Sequence, residues 1–263
     1  MSSIRRSVQV MELLAKKGPL GVRAVAQQLK LPVGSVHRLL LDLEAEMVAE
    51  RTADNEWELS YRLLEITGIQ LDRVELPRLA RPFAERIAEA TRETVNVNAL
   101  HNMMGVTIDK VRGNEGMQLD MRIGSRGPLH CGGAGKAMLA FMSPEEQRQV
   151  YEQPLRRLTD YTIVDPAALE REIGRIRQRG YSLDHDEVVV GVRCVAMPIL
   201  DRASRPVGAI SISGTSAKQP GPELDRFVEM LSEACDHVSR RIGYTGQWPP
   251  IEAENATGQR KLA

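Results

Sequence analysis

Residues 22–43 read Val-Arg-Ala-Val-Ala-Gln-Gln-Leu-Lys-Leu-Pro-Val-Gly-Ser-Val-His-Arg-Leu-Leu-Leu-Asp-Leu, and their spacing decides the N-terminal fold. Val22, Val25, Ala26 and Leu29 recur at i, i+3, i+4 and i+7, which lines one face of a helix over about Val22–Leu29. Leu31-Pro32 breaks the chain, and Val36, Leu39, Leu40 and Leu43 then repeat the pattern over about Val33–Ala45. Upstream, a helix over Ser3–Lys17 stops at Gly18-Pro19. Downstream, Val48–Arg51 and Trp57–Leu59 read as two strands around the turn cluster Thr52-Ala53-Asp54-Asn55. Short helices joined by a tight turn and followed by a hairpin predict a winged helix-turn-helix.

With its apolar residues buried, the third helix shows Val33, Gly34, Ser35, His37 and Arg38 on its outward face. Small residues allow close approach to a groove, and Ser35 with free helix N–H groups can hold phosphate. Arg38 can reach a guanine edge or a phosphate, and both stay open. Arg51 in the hairpin is a candidate for DNA backbone or minor groove, and Arg5 and Arg23 add to the basic surface. The competing reading is a small helical bundle used for protein contact.

Charge placement favours DNA. The whole chain is neutral, with 35 Lys plus Arg against 35 Asp plus Glu over 263 residues. Residues 1–38, however, hold seven basic residues against one acid, and residues 39–60 hold one basic residue against seven acids. A neutral total thus hides a basic N-terminal surface of the kind a groove binder presents. Aromatics at 4% argue against base stacking as a binding mode. No stretch approaches the ~18 apolar residues of a membrane span, and no apolar h-region follows Arg5-Arg6. Cys131, Cys194 and Cys235 are an odd number without C-x-x-C spacing, which fits a reducing cytoplasm and no disulfide framework.

Beyond the hairpin, a helical stretch over about Tyr61–Asp72 is expected to connect two domains, followed by a helix over about Leu76–Thr91. Strand candidates are Thr94–Leu100, Val106–Val111, Met117–Ile123, Val192–Leu200 and Val207–Ser213. Helix candidates are Ala134–Phe141, Pro144–Tyr151, Pro166–Arg179 and Pro222–Ile242. Strands separated by turns as well as by helices point to an antiparallel α+β sheet rather than a doubly wound one. Residues after Tyr244, with Gly246, Pro249 and Pro250, read as a mobile tail.

The chain resembles the IclR family of bacterial transcriptional regulators. The N-terminal likeness is Arg6-Ser7-Val8-Gln9-Val10-Met11-Glu12-Leu13-Leu14, then Val25-Ala26, then Leu31 to Leu40. The C-terminal likeness is Gly127-Pro128-Leu129-His130, Gly133 to Ala140, Arg179-Gly180-Tyr181, Gly191 to Ile199 and Ala209 to Gly214. These pieces, in order across two domains, are very specific. Two positions depart: Met47 stands where the family usually has Gly before the wing, and Trp57-Glu58-Leu59-Ser60 replaces the usual Tyr-x-Leu-Gly. Both bear on the wing and on the reach of Arg51.

The resemblance implies a winged helix-turn-helix over residues 1–60, a linker helix over 61–76, a GAF- or profilin-like α+β effector-binding domain over 77–244 and a flexible tail over 245–263. It implies a homodimer or homotetramer on a palindromic DNA operator, no cofactor or metal, and a small organic or aromatic acid as effector. By the same resemblance, the effector's oxygens sit at Gly133-Ala134, where a helix start supplies N–H groups and positive potential to an anion. The other implied pocket positions are Leu119, Asp184, Cys194, Ser211 and Ser213, with Met121 beside Leu119 as an apolar wall. Ser211 and Ser213 alternate along one strand and share a face. Asn96 and Asn98 also share a face, which is either the pocket side or a solvated outer side. A P-loop is excluded, because Gly135-Lys136 is followed by Ala137 and the upstream glycine position is His130. Two rival readings remain: an enzyme with Cys194 as nucleophile and His130 or His185 as base, and a DNA-binding protein whose second domain only oligomerises.

Overall fold

The computed structural model describes residues 3–113, 122–215 and 223–251. It divides into two compact units, Met1–Val74 and Glu75–Ala263.

The first unit holds α1 (Ser3–Lys17), α2 (Val22–Leu29), α3 (Val33–Ala45), a hairpin of β1 (Ala49–Arg51) and β2 (Trp57–Leu59), and α4 (Arg62–Arg73). The apolar stripes meet as their spacing requires: Val10 and Leu14 of α1, Val25 and Ala26 of α2, and Val36, Leu39, Leu40 and Leu43 of α3 form one core with Ala49 and Trp57. Leu20 and Trp57 exchange two backbone hydrogen bonds of 2.9 Å, so the turn between α1 and α2 is stitched to the wing. α3 ends in a Schellman motif: Val48 N–H donates to Leu43 O (2.8 Å) and Met47 N–H to Glu44 O (2.9 Å). Met47 takes the left-handed conformation this requires, with φ 58°, where glycine would sit without strain. The departure from glycine therefore leaves the wing's geometry intact.

The second unit opens with α5 (Glu75–Thr91) and continues through β3 (Thr94–His101), β4 (Met104–Val111), β5 (Arg126–Pro128), α6 (Gly133–Ala140), α7 (Pro144–Tyr151), α8 (Pro166–Arg179), β6 (Ser182–His185), β7 (Val192–Leu200), β8 (Pro206–Thr215) and α9 (Glu223–Arg241). The strands form one antiparallel sheet in the order β5-β4-β3-β8-β7-β6. The architecture is α+β, as expected. α5 and α9 pack together against the sheet, while α6 lies over β7 and β8 with α8 behind it. Leu129, Met138, Leu139, Leu169, Ile173 and Ile176 fill the layer between α6 and α8. α7 starts with a complete capping box on Ser143 and Glu146, and α8 with Asp165 accepting from Ala168 N–H.

Three expectations change. β5 and β6 were not expected as strands. The strand expected over Met117–Ile123 falls mostly on residues 114–121, outside the described residues, and Arg122 and Ile123 belong to no strand. The segment after Tyr244 packs back on the body as far as it is described: the Trp248 indole donates to Ser232 Oγ (2.9 Å), and a Cβ on Gly180 would stand 3.3 Å from Pro249. Residues 252–263 lie outside the described residues.

Candidate functional site

Strand register assembles a polar wall. Directly opposed residues of neighbouring antiparallel strands share a sheet face. Asp184 of β6 opposes Cys194 of β7, which opposes Ser213 of β8. One row over, Ala196 opposes Ser211, and Ser211 opposes Asn96 of β3, with Asn98 two residues further on the same face. Ser213 Oγ lies 3.1 Å from Cys194 Sγ and accepts from the Asn96 amide at 3.3 Å. The Thr107 hydroxyl donates to Asn98 Oδ1 at 3.1 Å. The open question about Asn96 and Asn98 is thereby answered: both are buried and face the same cavity as the serines.

α6 closes that cavity from above. Its start is glycine for a packing reason: a Cβ on Gly133 would stand 3.1 Å from Cys194 Cβ and 3.3 Å from Ala196 Cβ, and one on Gly135 only 2.7 Å from Pro128 O. Among the described residues no side chain caps the helix, so its first N–H groups are available to a guest. The cavity measures about 220 Å³ and is lined by Gly133, Ala134, Asp184, Cys194, Ser211 and Ser213 together with Asn96 and Asn98. Six of the seven expected pocket positions thus meet at one place. The seventh, Leu119, and its neighbour Met121 lie outside the described residues. The sequence reading missed two arginines, Arg126 and Arg156, which also border the cavity and form no ion pair with a described residue. Nothing in their spacing flags them, since β5 and the loop after α7 meet the pocket only in three dimensions.

A second missed feature is a buried charge cluster at the α6 end. Lys136, 1% exposed, pairs its ammonium with the Glu187 carboxylate, 5% exposed. The other Glu187 oxygen accepts from Gly132 N–H at 3.2 Å, and Asp184 Oδ1 accepts from Glu187 N–H at 2.8 Å. Burial, reinforced by the nearby Glu187 carboxylate, pushes the Asp184 carboxyl up to about 7. Near neutral pH Asp184 is therefore substantially protonated and can donate a hydrogen bond rather than repel an anion.

The enzyme reading finds no support in this geometry. Burial drives the Cys194 thiol far above its ordinary value, with the Asp184 carboxylate adding to the shift. His130 Nε2 is engaged with the Arg156 carbonyl at 3.0 Å. His185, next to Asp184 along β6, projects from the opposite face of the sheet. Among the described residues no group of three His, Cys, Asp or Glu could hold a metal ion, and no helix is long and apolar enough to cross a membrane.

In the N-terminal unit the expected surface residues occupy the outward face of α3. Val33, Gly34, His37 and Arg38 are exposed and Ser35 is half-buried, while Arg5 and Arg23 are exposed on α1 and α2. Neither α2 nor α3 has a side-chain cap, which leaves their first N–H groups open to phosphate oxygens. Arg51 is less free than its sequence position suggests. Its guanidinium lies 4.6 Å from the centre of the Trp57 ring, 3.5 Å from Glu44 and 3.2 Å from Asn55.

Residues 3–52 match the IclR helix-turn-helix domain, and residues 69–240 match the bacterial transcriptional regulator IclR C-terminal domain. The HTH-type transcriptional regulator BhcR of Paracoccus denitrificans is 32% identical over 239 residues, covering 90% of this chain and 86% of that one. The transcriptional repressor IclR of Escherichia coli is 29% identical, covering 92% and 90%. The crystal structure of the Thermotoga maritima IclR superposes with a TM-score of 0.79 at 29% identity, over 92% of this chain and 98% of that one. An IclR homologue from Microbacterium hydrocarbonoxydans, solved with 4-hydroxybenzoate, shares the fold with a TM-score of 0.80 at 24% identity, over 92% and 99%.

Proposed function

Because this chain belongs to the IclR family of bacterial transcriptional regulators, with a helix-turn-helix and an effector-binding C-terminal domain, we propose that its C-terminal pocket senses a small carboxylate-bearing organic or aromatic acid. The observation that carries this reading is the uncapped glycine start of α6, facing a partly enclosed cavity whose opposite wall offers the Ser211 and Ser213 hydroxyls. A helix start stabilises a nearby negative charge by ~0.3–1 kcal/mol when exposed and up to ~2 when partly buried. Hydrogen bonds to a charged group add about 1.5–3 kcal/mol each. Together, though not additively, these bring micromolar affinity, about −8 kcal/mol, within reach. Arg126 and Arg156 at the margin supply long-range attraction, and the protonated form of Asp184 removes the nearest repulsion. The 4-hydroxybenzoate bound by the Microbacterium protein has the size and charge this pocket would accept.

On the DNA side, Arg5, Arg23, Val33, Gly34, Ser35, His37, Arg38 and Arg51 form the proposed operator-binding surface, with α3 in the major groove. Exposed Leu64, Ile66 and Ile69 on α4 support a homo-oligomer, a dimer or tetramer, matched to a palindromic operator. The domain limits we propose are 1–60, 61–76 and 77–244.

The test combines a thermal-shift screen of small acids with operator binding, the operator being selected from a randomised duplex pool. A bound ligand raises stability by RT ln(1 + [L]/Kd), so no guess of the effector is needed beforehand. Ser211→Ala with Ser213→Ala is expected to weaken the acid's binding at least tenfold and leave operator binding in its absence intact. A double variant that responds to the acid like the parent protein would put the ligand elsewhere.

A further inference from the structure

The polar wall contains more hydrogen-bonding capacity than an anion at α6 would use. Asn96 is 4% exposed and lines the cavity, yet its Oδ1 has no hydrogen-bond partner among the described residues. Its Nδ2 is committed to Ser213 Oγ at 3.3 Å. Turning the amide over does not help, because the free position would then be an N–H instead of an oxygen. Asn98 repeats the situation: its oxygen takes the Thr107 hydroxyl, and its NH₂ has no acceptor among the described residues. Buried polar groups without partners are uncommon in folded proteins, and two neighbouring amides with spare capacity on one cavity wall call for an explanation.

Their position relative to α6 sets the length of what could fill them. Gly133 sits over Cys194 and Ala196 of β7, while Asn96 and Asn98 stand on β3. β8 separates the two strands, so two interstrand steps lie between them, about 10 Å. A two-carbon acid held at α6 cannot bridge that gap, whereas an acid with a hydroxyl several bonds from its carboxylate can.

We infer that Asn96 and Asn98 form a second polar subsite, which selects an effector carrying a hydroxyl or similar hydrogen-bonding group at the end remote from its carboxylate. This rests on the carboxylate reading of α6 given above. The carboxylate end would be read by the backbone N–H groups at the start of α6 and the far end by the amides, with Ser211 and Ser213 on the strand between them. A site built to hydrogen-bond a hydroxyl discriminates strongly against the analogue lacking it, because the protein's own polar atoms are then left unpaired.

The test uses the full chain and two matched pairs of probes, 4-hydroxybenzoate with benzoate and 4-hydroxybutyrate with butyrate, titrated by calorimetry. Acetate serves as the short control. Within at least one pair the hydroxylated member is expected to bind at least tenfold more tightly. Asn96→Leu, close in volume, and Asn96→Ser, smaller and still polar, should each bring that ratio down, the leucine variant to within twofold of one. A ratio within a pair is insensitive to modest changes in overall stability, and a cooperative melt for each variant secures the comparison. If the parent protein binds acids but shows no preference in either pair, the subsite is overturned and the amides are merely hydrated. A tenfold preference that survives Asn96→Leu overturns it as well, since the hydroxyl is then read elsewhere. Should none of the five acids bind, the carboxylate reading fails and takes this inference with it.

Discussion

Lys136→Met offers the sharpest test of how the pocket is held together. The substitution removes an ammonium that is 1% exposed and nearly preserves side-chain volume. It leaves Glu187 buried without its counter-ion, next to Asp184, whose Oδ1 already accepts from Glu187 N–H. Breaking a buried ion pair from one side costs about 3–5 kcal/mol, because the remaining charge keeps its desolvation penalty. Adding Glu187→Gln removes that charge while retaining an oxygen for Gly132 N–H, so the double variant should recover to within about 1.5 kcal/mol of the parent. Urea unfolding followed by Trp248 fluorescence reports on the C-terminal unit, because the only other tryptophan, Trp57, lies in the first unit and can be changed to Phe throughout. The deficit of the single variant should also shrink as pH falls, because burial holds the Glu187 carboxyl above its ordinary range and protonation removes the unpaired charge. The parent protein has the same sign at Asp184. Its folded value near 7 exceeds the ordinary 3.8, so its contribution to stability is fully present below 3.8 and is lost as pH rises through 7. The slope is at most about 1.4 kcal/mol per pH unit. A single variant that loses less than about 1 kcal/mol, with the double variant no better, would refute the view of Lys136 and Glu187 as a coupled buried pair.

Three further outcomes are expected. Asp184→Asn should abolish the pH dependence of acid binding between pH 6 and 8; in the parent, affinity should fall as pH rises through about 7 and Asp184 ionises, as calorimetry at several pH values would register. Arg38→Ala should weaken operator binding, by ~1–3 kcal/mol confined to one base pair if Arg38 reads guanine, or uniformly with a smaller salt slope if it touches phosphate. Unchanged affinity at every salt concentration would remove α3 from the groove. Met47→Gly should stabilise the first unit by about 0.5–1 kcal/mol in urea unfolding read by Trp57, because it relieves a left-handed non-glycine residue at some cost in chain entropy. No gain would mean the Schellman turn carries no strain.

Long periodic segments were legible in the sequence because their signals are local. The three N-terminal helices, the wing and helices α5 to α9 follow from apolar spacing and from Pro, Gly and Ser punctuation. β5 and β6 were not legible for a physical reason. β5 is Arg126-Gly127-Pro128, which reads as a turn and becomes a strand only by pairing with Met104 to Val106. β6 is Ser182-Leu183-Asp184-His185, whose buried residues are the serine and the aspartate, the reverse of the pattern that marks a strand's inner face. Lys136 was hidden in the same way. Within Gly-Ala-Gly-Lys-Ala-Met-Leu-Ala nothing local says that the lysine is buried, because its partner Glu187 lies 51 residues later, after β6.

β5 and β6, the two strands without a local signature, both border the pocket. In the body of the second unit, buried strand positions carry Val95, Val97, Val195, Ile210 and Ile212, as hydrophobic burial demands. On the opposite face of the same strands the buried positions carry Asn96, Asn98, Cys194, Ser211 and Ser213. At its four polar positions such a face forgoes apolar burial, ~25 cal/mol per Å², and it leaves an amide oxygen without a partner among the described residues. Over that patch the helix start is glycine-rich and uncapped, although the same chain caps α7 and α8 fully with Ser143 and Asp165. A sequence able to build complete caps and apolar strand faces elsewhere withholds both here. Departures from local stability rules that converge on one cavity mark the place where stability yields to recognition. Parity along a strand could tell which residues share a face, but only the closure of α6 over β7 and β8 could tell which face was enclosed.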